Sequence, residues 1–85
     1  MNNITEIKNE FEGKEFTILK FYNSIKVDYG VDFFKDELYK GIKTNGKAQV
    51  ISEDNKEIYT IFAEIKEDTD CYGSIIKIAK IEVVK

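Results

Sequence analysis

The sequence contains no histidine, no arginine, no proline and no tryptophan, and it has a single cysteine. Without histidine, the chain lacks the only side chain whose ordinary pKa lies near neutral pH. Without arginine, it has no planar guanidinium group that could hold a phosphate or a carboxylate through two parallel hydrogen bonds. All 13 basic residues are lysines, a bias typical of AT-rich coding sequences. The composition therefore predicts a non-enzymatic protein from a low-GC bacterium or one of its phages.

Cys71 is the only cysteine, so neither an intramolecular disulfide nor an all-thiolate metal site can form within one chain. The acidic residues Glu67, Asp68 and Asp70 precede it closely and would raise the pKa of its thiol. We therefore expect a structural cysteine in a protein of the reducing cytoplasm. No metal and no cofactor is expected.

The length of 85 residues suits one domain, and we expect residues 1–85 to form a single unit. Hydrophobic residues make up 42% of the chain and charged residues 34%, which indicates a soluble globular protein. No apolar run approaches the roughly 20 residues of a membrane span. The first residues lack the basic and apolar regions of a secretion signal. We therefore expect a cytoplasmic protein that does not bind membranes.

A helix is predicted near the N-terminus. Asn3 stands at an N-cap position, and Glu6 follows three residues later, as in a capping box. Ile4, Ile7 and Phe11 then recur at a helical spacing that places them on one face. A helix this short needs a partner to pack against, which is expected to be a sheet.

Alternating or β-branched patterns predict strands along most of the remaining chain: 15–22, 25–33, 39–44, 47–52, 57–66 and 74–84. Asn45-Gly46 is a strong signal for a hairpin turn between two of them. Asp32–Gly41 fits either a short second helix near 33–40 or an extended segment with a bulge. Several strands are apolar on both sides, so both faces of the sheet should be covered. The predicted fold is α+β: an N-terminal helix packed on a curved antiparallel meander of five or six strands, forming a partial barrel.

Two strings resemble functional motifs without the context that those motifs need. Gly41–Ala48 has the spacing of a phosphate-binding loop, but Ala48 stands where a hydroxyl should hold Mg²⁺, and a hairpin turn is the better interpretation. Asp68–Gly73 begins like an EF-hand loop, but Ala79 occupies the position of the bidentate glutamate. A solvated acidic hairpin loop is expected there, with at most weak, adventitious binding of calcium.

Charge is unevenly distributed along the chain. The net charge is −3 overall, whereas residues 14–47 carry an excess of lysine and residues 48–85 an excess of acids. An acidic surface attracts a basic partner and accelerates association. We therefore predict an interaction protein that binds a host protein with a basic surface, and in particular a phage or mobile-element inhibitor. The predicted partner-binding residues are six acids and two aromatic anchors: Glu53, Asp54, Glu57, Glu67, Asp68, Asp70, Tyr59 and Tyr72.

Two other functions fit the sequence less well. The first is binding of single-stranded nucleic acid on a curved sheet, through lysines and aromatic residues of the middle segment: Lys20, Lys26, Lys43, Lys47, Tyr22 and Tyr29. The acidic net charge and the absence of arginine weigh against it. The second is a homodimer formed through an exposed strand edge, for which the long C-terminal segment Ser74–Val84 is the candidate.

Overall fold

The computed structural model describes residues 4–52 and 57–84 of the chain. These residues form three helices and four strands in the order α1 (Ile4–Phe11), β1 (Glu15–Thr17), α2 (Ile18–Tyr29), α3 (Lys35–Asn45), β2 (Lys47–Ile51), β3 (Ile58–Glu67) and β4 (Ile75–Val84). The strands form one antiparallel sheet with the order β1-β4-β3-β2. Each of the three helices is too short and too polar to span a membrane. The α+β class is confirmed, whereas the prediction of five or six strands in a partial barrel is wrong, because the sheet is open and has four.

The N-terminal helix α1 packs on the sheet as its apolar spacing predicts. Ile7 and Phe11 are fully buried, and Ile4 packs against the same core. Gly13 follows the helix with a φ of +80°, a left-handed conformation that glycine adopts without steric cost. The proposed cap, Asn3, lies outside the described residues.

The prediction of two strands over 15–22 and 25–33 is wrong except at β1, because Ile18–Tyr29 form helix α2. Ile18, Phe21 and Ile25 lie on one face at helical spacing and are fully buried. The Thr17 hydroxyl caps the helix by accepting the Lys20 N–H at 3.1 Å. Val27, which continues the apparent strand alternation, is 81% exposed. Of the residues whose alternation suggested a strand, Ile25 therefore lies on the buried face of the helix, and Val27 lies in solvent.

The hairpin turn predicted at Asn45-Gly46 is wrong as well, because these residues form the end of a helix. Helix α3 buries Leu38 and Ile42 and ends at Asn45. Gly46 has a φ of +75°, and its N–H donates to the Ile42 carbonyl at 2.9 Å, which is a left-handed helix cap. The short helix predicted near 33–40 is thus confirmed but extends further. A phosphate-binding loop precedes its helix, whereas Gly46 follows one. Gly41–Ala48 is therefore not a phosphate-binding loop, as predicted, but the reason is a helix end and not a hairpin turn.

A bulge in β4 explains why this strand looks apolar on both sides. Phe62 pairs with Lys80 and Ala63 pairs with Ile78, so Ala79 is an extra residue without a cross-strand partner. The bulge brings Ile78 and Ile81 to the same face. All the fully buried strand residues therefore point toward the helices, and the prediction that both faces are covered is wrong. The opposite face exposes polar side chains, including Lys47, Gln49, Glu64, Lys77 and Glu82.

The helix α1 also closes one edge of the sheet. The Lys8 ammonium donates to the Ile81 carbonyl at 3.0 Å, and the Glu12 carboxylate accepts the Ile81 N–H at 2.8 Å. The two side chains form an ion pair at 2.7 Å. Together they replace the backbone partners that a neighbouring strand would supply. Because β4 lies between β3 and β1 and is capped in this way, the predicted dimer edge at Ser74–Val84 is wrong.

We expect Glu12→Gln to remove a pH-dependent part of the stability. The hydrogen bond from Lys8 holds the pKa of Glu12 below its ordinary value. The contribution of the charged Glu12 to stability, about 1 kcal/mol, is therefore complete above the pKa that Glu12 has in the unfolded chain. It is lost as the pH falls through the pKa of Glu12 in the folded protein. Urea unfolding at several pH values should show a stability difference between the two proteins at pH 7 that shrinks toward pH 3. A difference independent of pH would show that the Glu12 charge does not act on the fold.

Candidate functional site

The predicted acidic residues do not form one surface. Glu67, Asp68 and Asp70 lie at the end of β3 and in the loop that follows it. Glu57 precedes the same strand, so the ten-residue length of β3 separates it from Glu67 by about 30 Å. Glu53 and Asp54, which were predicted to join them, lie outside the described residues.

Two of the predicted partner-binding residues are buried. Tyr59 is 1% exposed and Glu57 is 6% exposed, and the Tyr59 hydroxyl donates to the Glu57 carboxylate at 2.9 Å. Tyr59 alternates with Ile61 and Ala63 on the helix-facing side of β3, which is why it belongs to the core. The prediction that Tyr59 is an exposed anchor is wrong, and Glu57 contributes little to the surface charge.

The acids after β3 build the loop between β3 and β4. Asp68 accepts a hydrogen bond from the Tyr39 hydroxyl at 2.9 Å and lies 3.2 Å from the Lys43 ammonium. Both contacts hold the pKa of Asp68 below its ordinary value. Asp70 accepts the Gly73 N–H at 2.6 Å. Asp68 therefore fastens the loop to α3, and Asp70 stabilises the turn of the loop itself. Both remain exposed, next to the exposed Glu67.

This loop places Tyr72 at the mouth of a cleft of about 250 Å³. The cleft is bordered by α2, by the segment that enters α3 and by the loop, and its lining residues are Tyr22, Asp32, Phe33, Phe34, Lys35, Asp36 and Tyr72. We call it the aromatic cleft. Most of its lining side chains are aromatic or acidic, and one is a lysine. In this cleft a residue predicted from the sequence, Tyr72, lies together with a second exposed aromatic side chain, Phe34.

Backbone contacts hold the two sides of the aromatic cleft together. The Leu19 N–H donates to the Tyr72 carbonyl at 3.1 Å, and the Ile18 N–H donates to the Ser74 carbonyl at 3.0 Å. The first turn of α2 is thereby fastened to the loop. Phe33 is buried and packs edge-to-face on Tyr22 with ring centroids 5.5 Å apart. The floor of the cleft is therefore part of the core.

Phe34 is directed away from the core because it occupies the N-cap position of α3. Its backbone is extended, with a φ of −84° and a ψ of 121°, and its side chain is 65% exposed. Tyr72 is 41% exposed and Leu19 is 43% exposed. Phe34 and Tyr72 therefore both reach solvent from the lining of one cleft, and Leu19, whose backbone N–H bonds to the Tyr72 carbonyl, is exposed nearby.

The charges inside the aromatic cleft are arranged around the tyrosine rings. The Lys35 ammonium lies 4.1 Å from the centre of the Tyr22 ring and 5.1 Å from that of Tyr72. The Tyr22 hydroxyl donates to Asp32 at 2.6 Å, which lowers the pKa of Asp32 and raises that of Tyr22. The neighbouring Asp36 carboxylate raises the pKa of Tyr72. The Lys35 ammonium thus lies against two ring faces in a cleft that two carboxylates also line.

Cys71 lies beside the cleft as a neutral thiol. Its Sγ atom is 3.6 Å from an Asp36 carboxylate oxygen, and burial together with that carboxylate raises the pKa of the thiol. The expected direction of the shift is confirmed, although burial and Asp36 are its main causes. Within residues 4–52 and 57–84, no group of three potential ligands is arranged to hold a metal ion.

The residues predicted to bind nucleic acid are dispersed, and four of them, Tyr22, Lys26, Tyr29 and Lys43, contact acids. The Tyr29 hydroxyl donates to Glu10 at 3.0 Å, and burial together with Glu10 raises the pKa of Tyr29 to about 12. Lys26 lies 3.5 Å from Asp32. Tyr22 lines the aromatic cleft, Lys43 contacts Asp68, Lys20 is exposed on α2 and Lys47 is on the open face of the sheet. No single surface collects them.

No family model, no curated protein and no solved structure matches the chain. The residues of the aromatic cleft and their chemistry are therefore the basis for assigning a function.

Proposed function

We propose that this chain is a non-enzymatic interaction protein whose aromatic cleft binds a basic side chain of a partner protein. The observation that carries the proposal is that two exposed aromatic side chains, Phe34 and Tyr72, line one cleft together with charged residues. Exposed aromatic side chains that surround a pocket are typical binding hot spots. Origin in a phage and inhibition of a host protein stay predictions from composition.

The chemistry of the cleft specifies the kind of side chain that it would accept. Lys35 already lies against the rings of Tyr22 and Tyr72, so these rings can hold an ammonium or guanidinium group. Asp36 lines the same cleft and supplies a carboxylate. A lysine or arginine of the partner would share or replace the position of Lys35. The acids of the neighbouring loop, Glu67 and Asp70, would attract the basic surface around it.

We expect the variant Phe34→Ala/Tyr72→Ala to lose its partner while keeping its fold. Tagged protein would be used to capture partners from nuclease-treated lysate of a low-GC bacterium, with recovery measured by native mass spectrometry. Removing two exposed anchors should lower affinity at least about tenfold. Val27→Ala is the matched control, because it truncates an exposed apolar residue elsewhere on α2. Equal recovery with both variants would disprove the role of the cleft.

Single-stranded nucleic acid on the open face of the sheet is a second candidate. Phe62 lies between Lys47 and Lys80, each with its ammonium 5.8 Å from the ring centre. Aromatic residues flanked by lysines can stack on bases and contact phosphates. Lys80 is also paired with Glu82 at 2.8 Å, so the face lacks a strong positive charge. Capture that is abolished by nuclease would favour this candidate over a protein partner.

A further inference from the structure

Lys35 contacts both tyrosine rings of the aromatic cleft. Its ammonium lies 4.1 Å from the ring centre of Tyr22 and 5.1 Å from that of Tyr72. Lys26 lies further from the Tyr22 ring, at 5.6 Å, and its ammonium is paired with Asp32 at 3.5 Å. The position in the cleft where two ring faces favour a cation is therefore occupied by a side chain of the protein itself.

The ring contacts are what holds the Lys35 ammonium in place. Within residues 4–52 and 57–84, Lys35 forms no ion pair. It is also the first residue of α3, where the helix dipole disfavours a positive charge and favours the acids that follow, Asp36 and Glu37. The side chain is half-buried and ends a flexible four-carbon stem. The ammonium can therefore leave the rings without breaking an ion pair.

Asp36 is the more accessible of the two carboxylates that line the cleft. Asp32 accepts the Tyr22 hydroxyl at 2.6 Å and is paired with Lys26. Asp36 is exposed, and it contacts the Cys71 thiol at 3.6 Å and the neighbouring Tyr72. These contacts use only part of the about four acceptor positions of a carboxylate. A cation that enters the cleft can therefore pair with Asp36.

We propose that the aromatic cleft is an arginine site that Lys35 keeps closed, and that an arginine of the partner protein binds by displacing the Lys35 ammonium. This inference rests on the proposed function and names the side chain that the cleft selects. A guanidinium group is planar and more weakly hydrated than an ammonium. It can therefore stack on a tyrosine ring and form two parallel hydrogen bonds with the Asp36 carboxylate, whereas Lys35 makes ring contacts without an ion pair.

The size of the cleft and the composition of the chain agree with an arginine from another protein. The volume of about 250 Å³ is below the about 300–1,000 Å³ of pockets that hold whole small molecules, so the cleft suits a single side chain. This chain contains no arginine, so a second copy of it does not supply the ligand. The exposed acids Glu67 and Asp70 of the neighbouring loop would attract a basic surface around the bound arginine.

Occupation of the cleft by Lys35 lowers its affinity for arginine by a measurable factor. A ligand binds only to the fraction of molecules in which the site is open, and its apparent affinity falls by that fraction. Because cation–π contacts of ordinary strength keep the site closed, Lys35→Met should bind arginine about 3–30-fold more tightly than the wild-type protein. Lys35→Arg should bind it more weakly than the wild-type protein, because this variant keeps the charge and supplies a better occupant.

The test is a titration of the full-length protein, carrying isotope-labelled lysine, with N-acetyl-arginine amide and N-acetyl-lysine amide, followed by NMR. The tyrosine rings shift the signal of the Lys35 ε-methylene group, so this signal reports whether the ammonium lies against them. We expect the arginine probe to move the signal to the position of an exposed lysine and to bind at least about threefold more tightly than the lysine probe. Lys14→Met, which removes a charge at an exposed position outside the cleft, should leave binding unchanged.

The proposal is overturned if Lys35→Met binds the arginine probe no more tightly than the wild-type protein, or if the lysine probe binds equally well. Binding to Lys35→Met that stays undetectable up to about 100 mM probe would overturn it as well. So would a probe that shifts the tyrosine ring signals of the wild-type protein and leaves the Lys35 signal in place, because the ligand would then share the cleft.

Partner capture with Phe34→Ala/Tyr72→Ala tests the proposed function separately. If this variant loses the partner while Lys35→Met leaves binding of the arginine probe unchanged, the cleft binds its partner without displacing Lys35, and only the inference fails. Capture that the variant does not reduce would instead contradict the proposed function.

Discussion

Replacing Phe11 with alanine is expected to lower the free energy of unfolding by about 3–5 kcal/mol. The Phe11 side chain is fully buried, and its ring makes edge-to-face contacts with Phe16, Phe21 and Tyr29 at centroid distances of 5.5, 5.0 and 6.1 Å. The substitution removes these contacts and leaves a cavity where α1, β1 and α2 meet. A domain of this size has a total stability near the lower end of about 5–15 kcal/mol, so the variant should be close to unfolding at room temperature.

Urea unfolding followed by circular dichroism measures this loss. Phe34→Ala is the matched control, since it makes the same change at a side chain that is 65% exposed, and its effect should stay within about 0.5 kcal/mol. If Phe11→Ala unfolds in the absence of urea, Phe11→Leu provides a measurable intermediate value. Equal losses for Phe11→Ala and Phe34→Ala would contradict the assigned core.

The parts of the fold that could be predicted from sequence are those whose pattern fits one structure only. The strands β3 and β4 were placed within one residue at each end, because their apolar residues extend over ten positions. Helix α2 was missed because Ile25, Val27 and Tyr29 alternate as a strand does, while Ile18, Phe21 and Ile25 also fit a helix. The buried face of α2 decides between the two patterns, and burial is a tertiary property that a local pattern does not contain.

The candidate site was predictable only in part, for a related reason. Tyr72 was identified because it lies in a polar loop, and it is exposed as expected. Phe34 was missed because its exposure follows from the N-cap position of α3, which the break in alternation at Phe33-Phe34 signals only weakly. Tyr59 was misplaced because the apolar residues on both sides of β3 do not show which side packs on the helices. Once the bulge at Ala79 is known, the side of the sheet that faces the helices is fixed, and Tyr59 falls on it.

Gly41→Ala is expected to destabilise the protein by about 1–2 kcal/mol, although glycine is a poor helix former. In an exposed helix the same change stabilises by about 1 kcal/mol. At this position a Cβ atom would lie 2.7 Å from the Ala48 Cβ atom and 2.9 Å from the Lys47 carbonyl oxygen. Both are much closer than van der Waals contact, and the obstructing atoms belong to the backbone and to a short side chain. The helix α3 must therefore move away from β2, which costs more than the helix propensity gains.

The size dependence of this effect separates overpacking from a general intolerance of α3 to substitution. Gly41→Val adds two further methyl groups at the same contact, so we expect a loss of about 3 kcal/mol in urea unfolding. Thr44→Ala, at an exposed position of the same helix, should instead gain a few tenths of a kcal/mol. A stabilised Gly41→Ala variant would mean that α3 is not held against Ala48.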